Sequence, residues 1–366
     1  MNNKLIPVVL LLSILCSPAF AARSFFYETP ETLAMGSVAI ATAKNHQIAF
    51  SNPAILALHD NTGFSVLNGS IAFNSDYDDM KDKLSSLSNQ DTAASRSSNY
   101  SKISQIMGKT GYRSWSNMAY YLSQAGFAIT AGYIETEKYS VANPSNPVIR
   151  SEIDKDAILS GSIAHSFNEN HVLFKDRATG WWGATMRFIS RNSTTTSYYS
   201  RDFAALTGKH ITETDLTGAG LDFDLGALWQ LNNPWNTSIG LFVGNLLGSE
   251  ISSEIGRLKR AYGVGVSIRP LTGSPERNER LLLAADFLHR NEDDFAGLAR
   301  LRMGAKYKVS RHLDLMAGLR GGYATAGLSI NWQDLKIQAA TYAQELGRRP
   351  GDMEDRRHSV SATLEF

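Results

Sequence analysis

The sequence predicts an all-β transmembrane barrel of about fourteen antiparallel strands, with an amino-terminal plug inside the lumen. Three observations predict it: the pattern of the last seven residues, a secretory leader, and alternating runs spread along the chain. The last seven residues, Val360-Ser361-Ala362-Thr363-Leu364-Glu365-Phe366, alternate apolar and polar without a break. Side chains on a strand alternate faces, so Val360, Ala362, Leu364 and Phe366 would face lipid while Ser359, Ser361, Thr363 and Glu365 face a polar lumen. A terminal phenylalanine on such a strand is the candidate signal to the barrel-assembly machinery.

The leader comes first. Lys4 precedes an apolar run from Leu5 to Cys16, and Ala19-Phe20-Ala21 supplies the small-x-small pattern cut by a signal peptidase, giving a signal peptide over 1–21. The run is shorter than the roughly 20 residues of a spanning helix, and no later stretch is longer. A lipoprotein reading of Cys16 is disfavoured because Leu15 replaces the small residue expected before a lipidated cysteine. Cleavage would remove the single cysteine and with it any disulfide or thiolate chemistry.

Residues 22–58 come next, rich in small side chains and without sustained alternation. Small residues let backbone approach a barrel wall, and irregular backbone at membrane depth is tolerated only inside protein, so this segment reads as the plug; a periplasmic extension is the alternative. The barrel domain then covers 59–366. Alternating runs fall at 61–73, 110–121, 125–139, 149–166, 179–191, 213–230, 236–246, 259–269, 280–290, 297–308, 311–320, 322–331, 334–343 and 356–366. An even count returns both termini to the periplasm. Connections of one parity are mostly short, as at Leu122-Ser123-Gln124 and Gln333, and those of the other mostly long, as at 74–109, which puts the long ones outside. The connections 167–178 and 270–279 are longish for the short side, Arg320-Gly321-Gly322 is tight for the long one, and twelve strands is the alternative. Within 77–107, apolar residues at three- and four-residue spacing over 78–84 and 100–107 predict two short external helices, with a mobile Ser/Ala-rich stretch over 89–99 between them. Trp181, Trp229, Trp235, Tyr262, Tyr307, Trp332 and Tyr342 fall near strand ends, where an aromatic girdle or ordinary core packing would place them.

Composition agrees with this class. Charged residues are 19% and the formal charge is +1, so no basic bias points to nucleic acid. A mean hydropathy of -0.21 suits a barrel as well as a soluble protein, because lipid-facing and lumen-facing residues average out.

Candidate chemistry is sparse. Asp222 and Asp224 share one strand face, as carboxylates of an outer-membrane protease or a calcium site would, but a lumenal ion-pair network with Arg290, Arg300, Arg302 or Lys306 accounts for them better. The eight histidines show no metal-ligand spacing and no Gly-x-Ser-x-Gly elbow occurs, so neither a metal nor another cofactor nor catalysis is expected. Asn52-Pro53-Ala54 is the best functional candidate. Proline restricts the residue before it, so Asn52 is aimed, either as a tie between plug and wall or as a turn that never moves.

Met35, Gly36, Ala39 and Ala41, followed by Asn52, Pro53 and Ala54, resemble the plug of the long-chain fatty-acid transporter (FadL-like) superfamily of outer-membrane barrels. Within it the sequence is most similar to the barrel family named for conjugal-transfer protein TraF, through Leu221 to Gly226, Val243 to Leu247, Ala284 to Phe287, Arg302 to Tyr307 and Gly318 to Tyr323. Ser37 departs from the pattern where a second glycine is usual, and Ile55 where the fatty-acid transporters carry glycine. The resemblance implies a barrel among outer-membrane lipids that takes up small hydrophobic molecules such as fatty acids, with Phe25, Phe26, Leu33, Ile48 and Phe50 as candidate liners. It equally implies the alternative of a platform for a conjugation or secretion assembly. A soluble β-sandwich or an enzyme is the remaining reading.

Overall fold

The computed structural model describes residues 27–59, 62–87, 93–142, 148–167, 178–199, 212–270, 280–290, 300–347 and 351–366. The expected signal peptide, Phe25 and Phe26 lie outside the described residues. Seventeen strands follow in order: β1 (Gly63–Ser65), β2 (Leu67–Asn74), β3 (Thr110–Ser123), β4 (Phe127–Ala142), β5 (Val148–Ser166), β6 (Ala178–Tyr199), β7 (Thr212–Leu231), β8 (Ser238–Gly244), β9 (Glu250–Ser252), β10 (Gly256–Arg257), β11 (Ala261–Ile268), β12 (Leu281–Arg290), β13 (Leu301–Lys308), β14 (Leu313–Arg320), β15 (Tyr323–Trp332), β16 (Leu335–Glu345) and β17 (Glu354–Leu364).

All but β9 and β10 form one closed antiparallel ring. Both β1 and β2 pair with β3, Ser65 opposite Tyr120 and Gly69 opposite Asn117. Between these pairs one strand advances one residue more than the other, so β1 and β2 are a single barrel strand bulged at Val66. The barrel therefore has fourteen strands, one for each alternating run of the sequence. β17 pairs with β16 on one side and β2 on the other, which closes the ring and leaves no edge.

Alternation decides what faces where. On β17, Val360 is exposed on the outer wall while Ser359, Ser361 and Thr363 are buried within. On β7, Leu221 and Leu225 point out and Asp222 and Asp224 in. Among the described residues no helix is long and apolar enough to cross a membrane. Of the aromatic residues near strand ends, Trp235, Tyr307 and Trp332 are exposed on the outer wall, Trp332 at 70%. Trp181 and Tyr262 are half-buried. Trp229 is covered by a stacked Phe167, and Tyr342 is buried within the ring, so neither belongs to an exposed girdle.

The wall is uneven in height. β5, β6 and β7 hold 19, 22 and 20 residues, whereas β11, β13 and β14 hold 8 each. Along β6 the outward side chains change from Met186 and Phe188 to Ser190, Asn192 and Thr194. The change is matched on β5, where Leu159 stands opposite Phe188 and Lys155 opposite Asn192.

Between β2 and β3 lie the two expected helices, Asp76–Ser85 and Ala93–Gln105. The second begins inside the Ser/Ala-rich stretch of 89–99. Met80, Ile103 and Ile106 pack the pair against Val141 and Ile149 at one end of the barrel.

Inside the ring runs the segment from Tyr27 to His59. It contains one short helix, α1 (Pro30–Ala34), and two 3-10 turns, Asn45–Phe50 and Pro53–Leu58. Thr29 caps α1 by accepting from the Thr32 amide at 3.2 Å, and Pro30 occupies the first turn, where its missing N–H costs nothing. α1 packs on β14 to β17, Ile40 on Phe242, Ala261 and Leu288, and the second 3-10 turn on β5 to β7. A segment that touches inward faces all round a closed ring has to lie within it.

Candidate functional site

Asn52 sits at the junction of this segment and the wall. Its backbone is extended (φ -79°, ψ 106°), as the following proline requires. The side-chain amide donates to the carbonyls of Ile40 and Ala227, each at 2.9 Å, and its oxygen accepts from the Ala54 amide at 3.1 Å. One fully buried side chain thus ties two parts of the segment to β7. The wall is hollowed to receive it: a Cβ on Gly226 would overlap the Asn52 side-chain oxygen, and one on Gly183 would overlap the Pro53 carbonyl group. Ile48, Ile55 and Leu56 fill the apolar space beside it against Tyr120, Leu122 and Leu228.

On the opposite side the contacts are charged. Glu28 pairs with Arg320 at 2.8 Å and Arg302 at 3.5 Å; Glu31 pairs with Lys306 and Lys336, both at 2.8 Å, and accepts from Gln338. Lys306 also meets Asp314 at 3.2 Å. Burial opposes ionisation of Glu31, yet the ammonium groups of Lys336, Lys306 and Lys44 hold its carboxyl well below the ordinary carboxylate range. Asp286 accepts from the amides of Ala39 and Ile40 at 2.6 and 2.9 Å. Thr325 donates to the Ala34 carbonyl and accepts from the Gly36 amide.

Met35-Gly36 runs directly against the backbones of β13 and β14, and Gly36 is left-handed at φ 67°. Ser37 is also at φ 67°, which explains the usual glycine there; in compensation its hydroxyl accepts from Arg320 at 2.9 Å and its carbonyl accepts from Arg302.

Asp222 and Asp224 do not join this charged side. Asp224 pairs with Arg187 of the adjacent strand and accepts from the Asn245 amide; Asp222 accepts from the amides of Leu247 and Ser249, each at 2.9 Å. Their partner among the cations is therefore Arg187 rather than Arg302 or Lys306, and the side chain of Arg290 lies outside the described residues. Arg300, half-buried, precedes β13. The two aspartates anchor the connection from β8 to β11, which folds back into the ring as the hairpin β9–β10. Its Ile251, Ile255 and Leu258 are buried with Tyr27, Phe50 and Ile189. Among the described residues no three His, Cys, Asp or Glu are grouped to hold a metal.

Three cavities lie in series along the amino-terminal segment. The largest, about 360 Å³, opens toward the helix-bearing end and has Tyr27, Glu28 and Leu33 on its segment side. A second, about 30 Å³, lies between Phe50, Ile40, Phe242 and Leu288 and shares Tyr27 and Glu28 with the first. A third of similar size reaches Lys336 and Thr363 and shares Thr32 and Gln47 with the second. Gln47 bridges this last divide, accepting from the Thr29 amide and donating to the Tyr27 carbonyl, both at 3.0 Å. Of the candidate liners, Leu33 and Phe50 border cavities, whereas Ile48 is packed solid.

Sequence reasoning missed Glu28, Glu31, Asp286, Arg187 and Gln47. A signal existed for the first two: they are the only acids in an otherwise small and apolar stretch that must meet lumenal cations.

No family model and no curated protein matches the chain. Solved structures do. The fold is similar to the Ralstonia pickettii toluene transporter TbuX, with 13% identity over 93% of this chain and 98% of that one and a TM-score of 0.51. It is similar to the deltaS2S3 mutant of the monoaromatic hydrocarbon channel TodX, at 13% over 93% and 98% with a TM-score of 0.52. The monoaromatic hydrocarbon channel CymD gives 11% over 92% and 96%, again with 0.52. At these identities the likeness is one of fold, and the closed fourteen-strand antiparallel barrel expected from the alternating runs is that fold.

Proposed function

We propose that the chain is an outer-membrane channel for passive uptake of small hydrophobic molecules, with residues 22–58 as its plug and the helix-bearing end outside. The observation that carries this reading is the row of three cavities along the segment, each sharing lining residues with the next. Small rearrangements of the segment would join them without opening the barrel wall. The apolar outer wall suits lipid, and the solved channels of the same fold include a toluene transporter and monoaromatic hydrocarbon channels. Fatty acids are the cargo that the resemblance implies; the reading itself commits only to small hydrophobic molecules.

Asn52 is the tie whose release frees the plug. Replacing Asn52 by Ala, or Pro53 by Gly, should raise the uptake rate of lipid-like probes by cells carrying the protein. Uptake that stays at the wild-type rate for every probe in both variants would sink the proposal. The platform reading rests on the likeness to the conjugal-transfer family and on the length of 74–109, with the helical insertion or the periplasmic turns as docking surfaces; Met80, Ile103 and Ile106 of that insertion are spent on packing against the barrel.

A further inference from the structure

We infer that the cargo is a small uncharged molecule with an apolar body and one hydrogen-bonding group, such as a ring bearing a hydroxyl, rather than a plain hydrocarbon or a free carboxylate. This rests on the channel reading and names its substrate class. The first cavity, at about 360 Å³, is the size of a small-ligand site. Its wall presents neutral hydrogen-bonding groups, the hydroxyls of Ser70, Ser114, Ser116 and Thr136 and the phenols of Tyr112 and Tyr342, beside charged side chains that include Lys138 and three arginines. A hydrocarbon entering here would strip water from those groups and return nothing.

A carboxylate fares no better, because the three guanidinium groups of this wall already have carboxylate partners, and Lys138 is not without a partner either. Arg191 holds Asp156 through two bonds of 2.6 and 2.8 Å, Arg320 holds Glu28 at 2.8 Å, and Arg357 holds Asp355 at 2.6 Å. An anionic head would have to break a buried pair and leave a like charge beside it. The next cavity imposes the opposite demand. It is lined by Phe50, Ile40, Phe242 and Leu288, and the polar side chains that also border it, Asp286, Arg302 and Gln47, bond the segment's own backbone, so the surface it offers a guest is mainly apolar. A molecule that satisfies both in turn has a polar end and an apolar end, and no net charge.

The test compares initial uptake of radiolabelled 4-ethylphenol, ethylbenzene and hexanoate by cells expressing the full chain and by cells with an empty vector. The expected result is that the protein accelerates 4-ethylphenol about fivefold more than either other probe, the factor that one ordinary hydrogen bond is worth. Ethylbenzene or hexanoate accelerated as much or more overturns the inference and leaves the channel standing. Acceleration of none of the three overturns the channel reading and the inference with it.

A variant checks the assigned wall. Ser114 and Thr136 bond each other at 3.1 Å, so Ser114→Val with Thr136→Val removes both partners and leaves no orphan. With folding verified by heat-modifiable gel mobility, the double variant should lose most of the preference for 4-ethylphenol over ethylbenzene. A preference kept at the wild-type ratio would show that this wall does not select.

Discussion

The amino-terminal segment is held by two sides of the barrel in opposite ways. Toward β12 to β16 charge is added to the close packing of Met35-Gly36: two glutamates meet four cations, and Asp286 collects two amides. Toward β5 to β8 it is held by shape, with Asn52 and Pro53 seated in glycine hollows and Ile48, Ile55 and Leu56 in an apolar bed. Charge pairs tolerate small shifts but fail when one partner is lost, because the other remains buried and uncompensated. A hollow fails when a single carbon is added.

The largest effect should come from the charged side. Glu28→Gln with Glu31→Gln takes the facing carboxylates from Arg302, Arg320, Lys306 and Lys336, and breaking a buried pair costs roughly 3–5 kcal/mol. Hydrogen exchange over 27–44 should accelerate strongly while the strands stay protected; unchanged exchange would mean that the charges do not hold the segment. Acid should produce part of the same loss. The Glu31 carboxyl is depressed in the folded protein, so its contribution is whole above the unfolded value of about 4.3 and fades as the pH falls through the folded one. Protection of the stretch around Glu31, residues 28–34, should thus be flat from neutral pH down to about 5 and weaken below about 4. Weakening that began near neutrality would implicate another group.

On the shaped side the effect is smaller. Asn52→Ala removes the donor to two carbonyls, worth about 1–3 kcal/mol if they are left unsatisfied. Gly226→Ala should loosen the same region by pushing the same side chain aside. Because both act on one contact, exchange rates of the double variant should fall short of additive. Strict additivity would break the link between hollow and tie.

Much of the barrel was legible in the sequence, because each strand carries its own alternation and needs no knowledge of its neighbours. Asp222 and Asp224 were recognisably inward, but their partner was not. Arg187, between Met186 and Phe188, has the same apolar-charged-apolar setting as Arg302, and only register puts it opposite Asp222. The inward fold of β9–β10 was equally hidden: Ile251 and Ile255 are too few to show a period, and what holds the hairpin is three backbone amides on the two aspartates. Asn52 was singled out because proline restricts it locally. Hydrophobicity chose Leu33, Ile48 and Phe50 alike, although Ile48 fills a core while the other two face space.

The uneven wall has a further consequence. With the helix-bearing end outside, the apolar band stops near Ser190, and the rest of β6 to Tyr199 rises roughly 25 Å higher at an ordinary strand rise and tilt. Across the ring, β14 turns into β15 directly after Arg320. Among the described residues the ring is therefore higher at β5 to β7 than at β14 and β15, and in the proposed channel the low side would give a guest the shorter path to the first cavity.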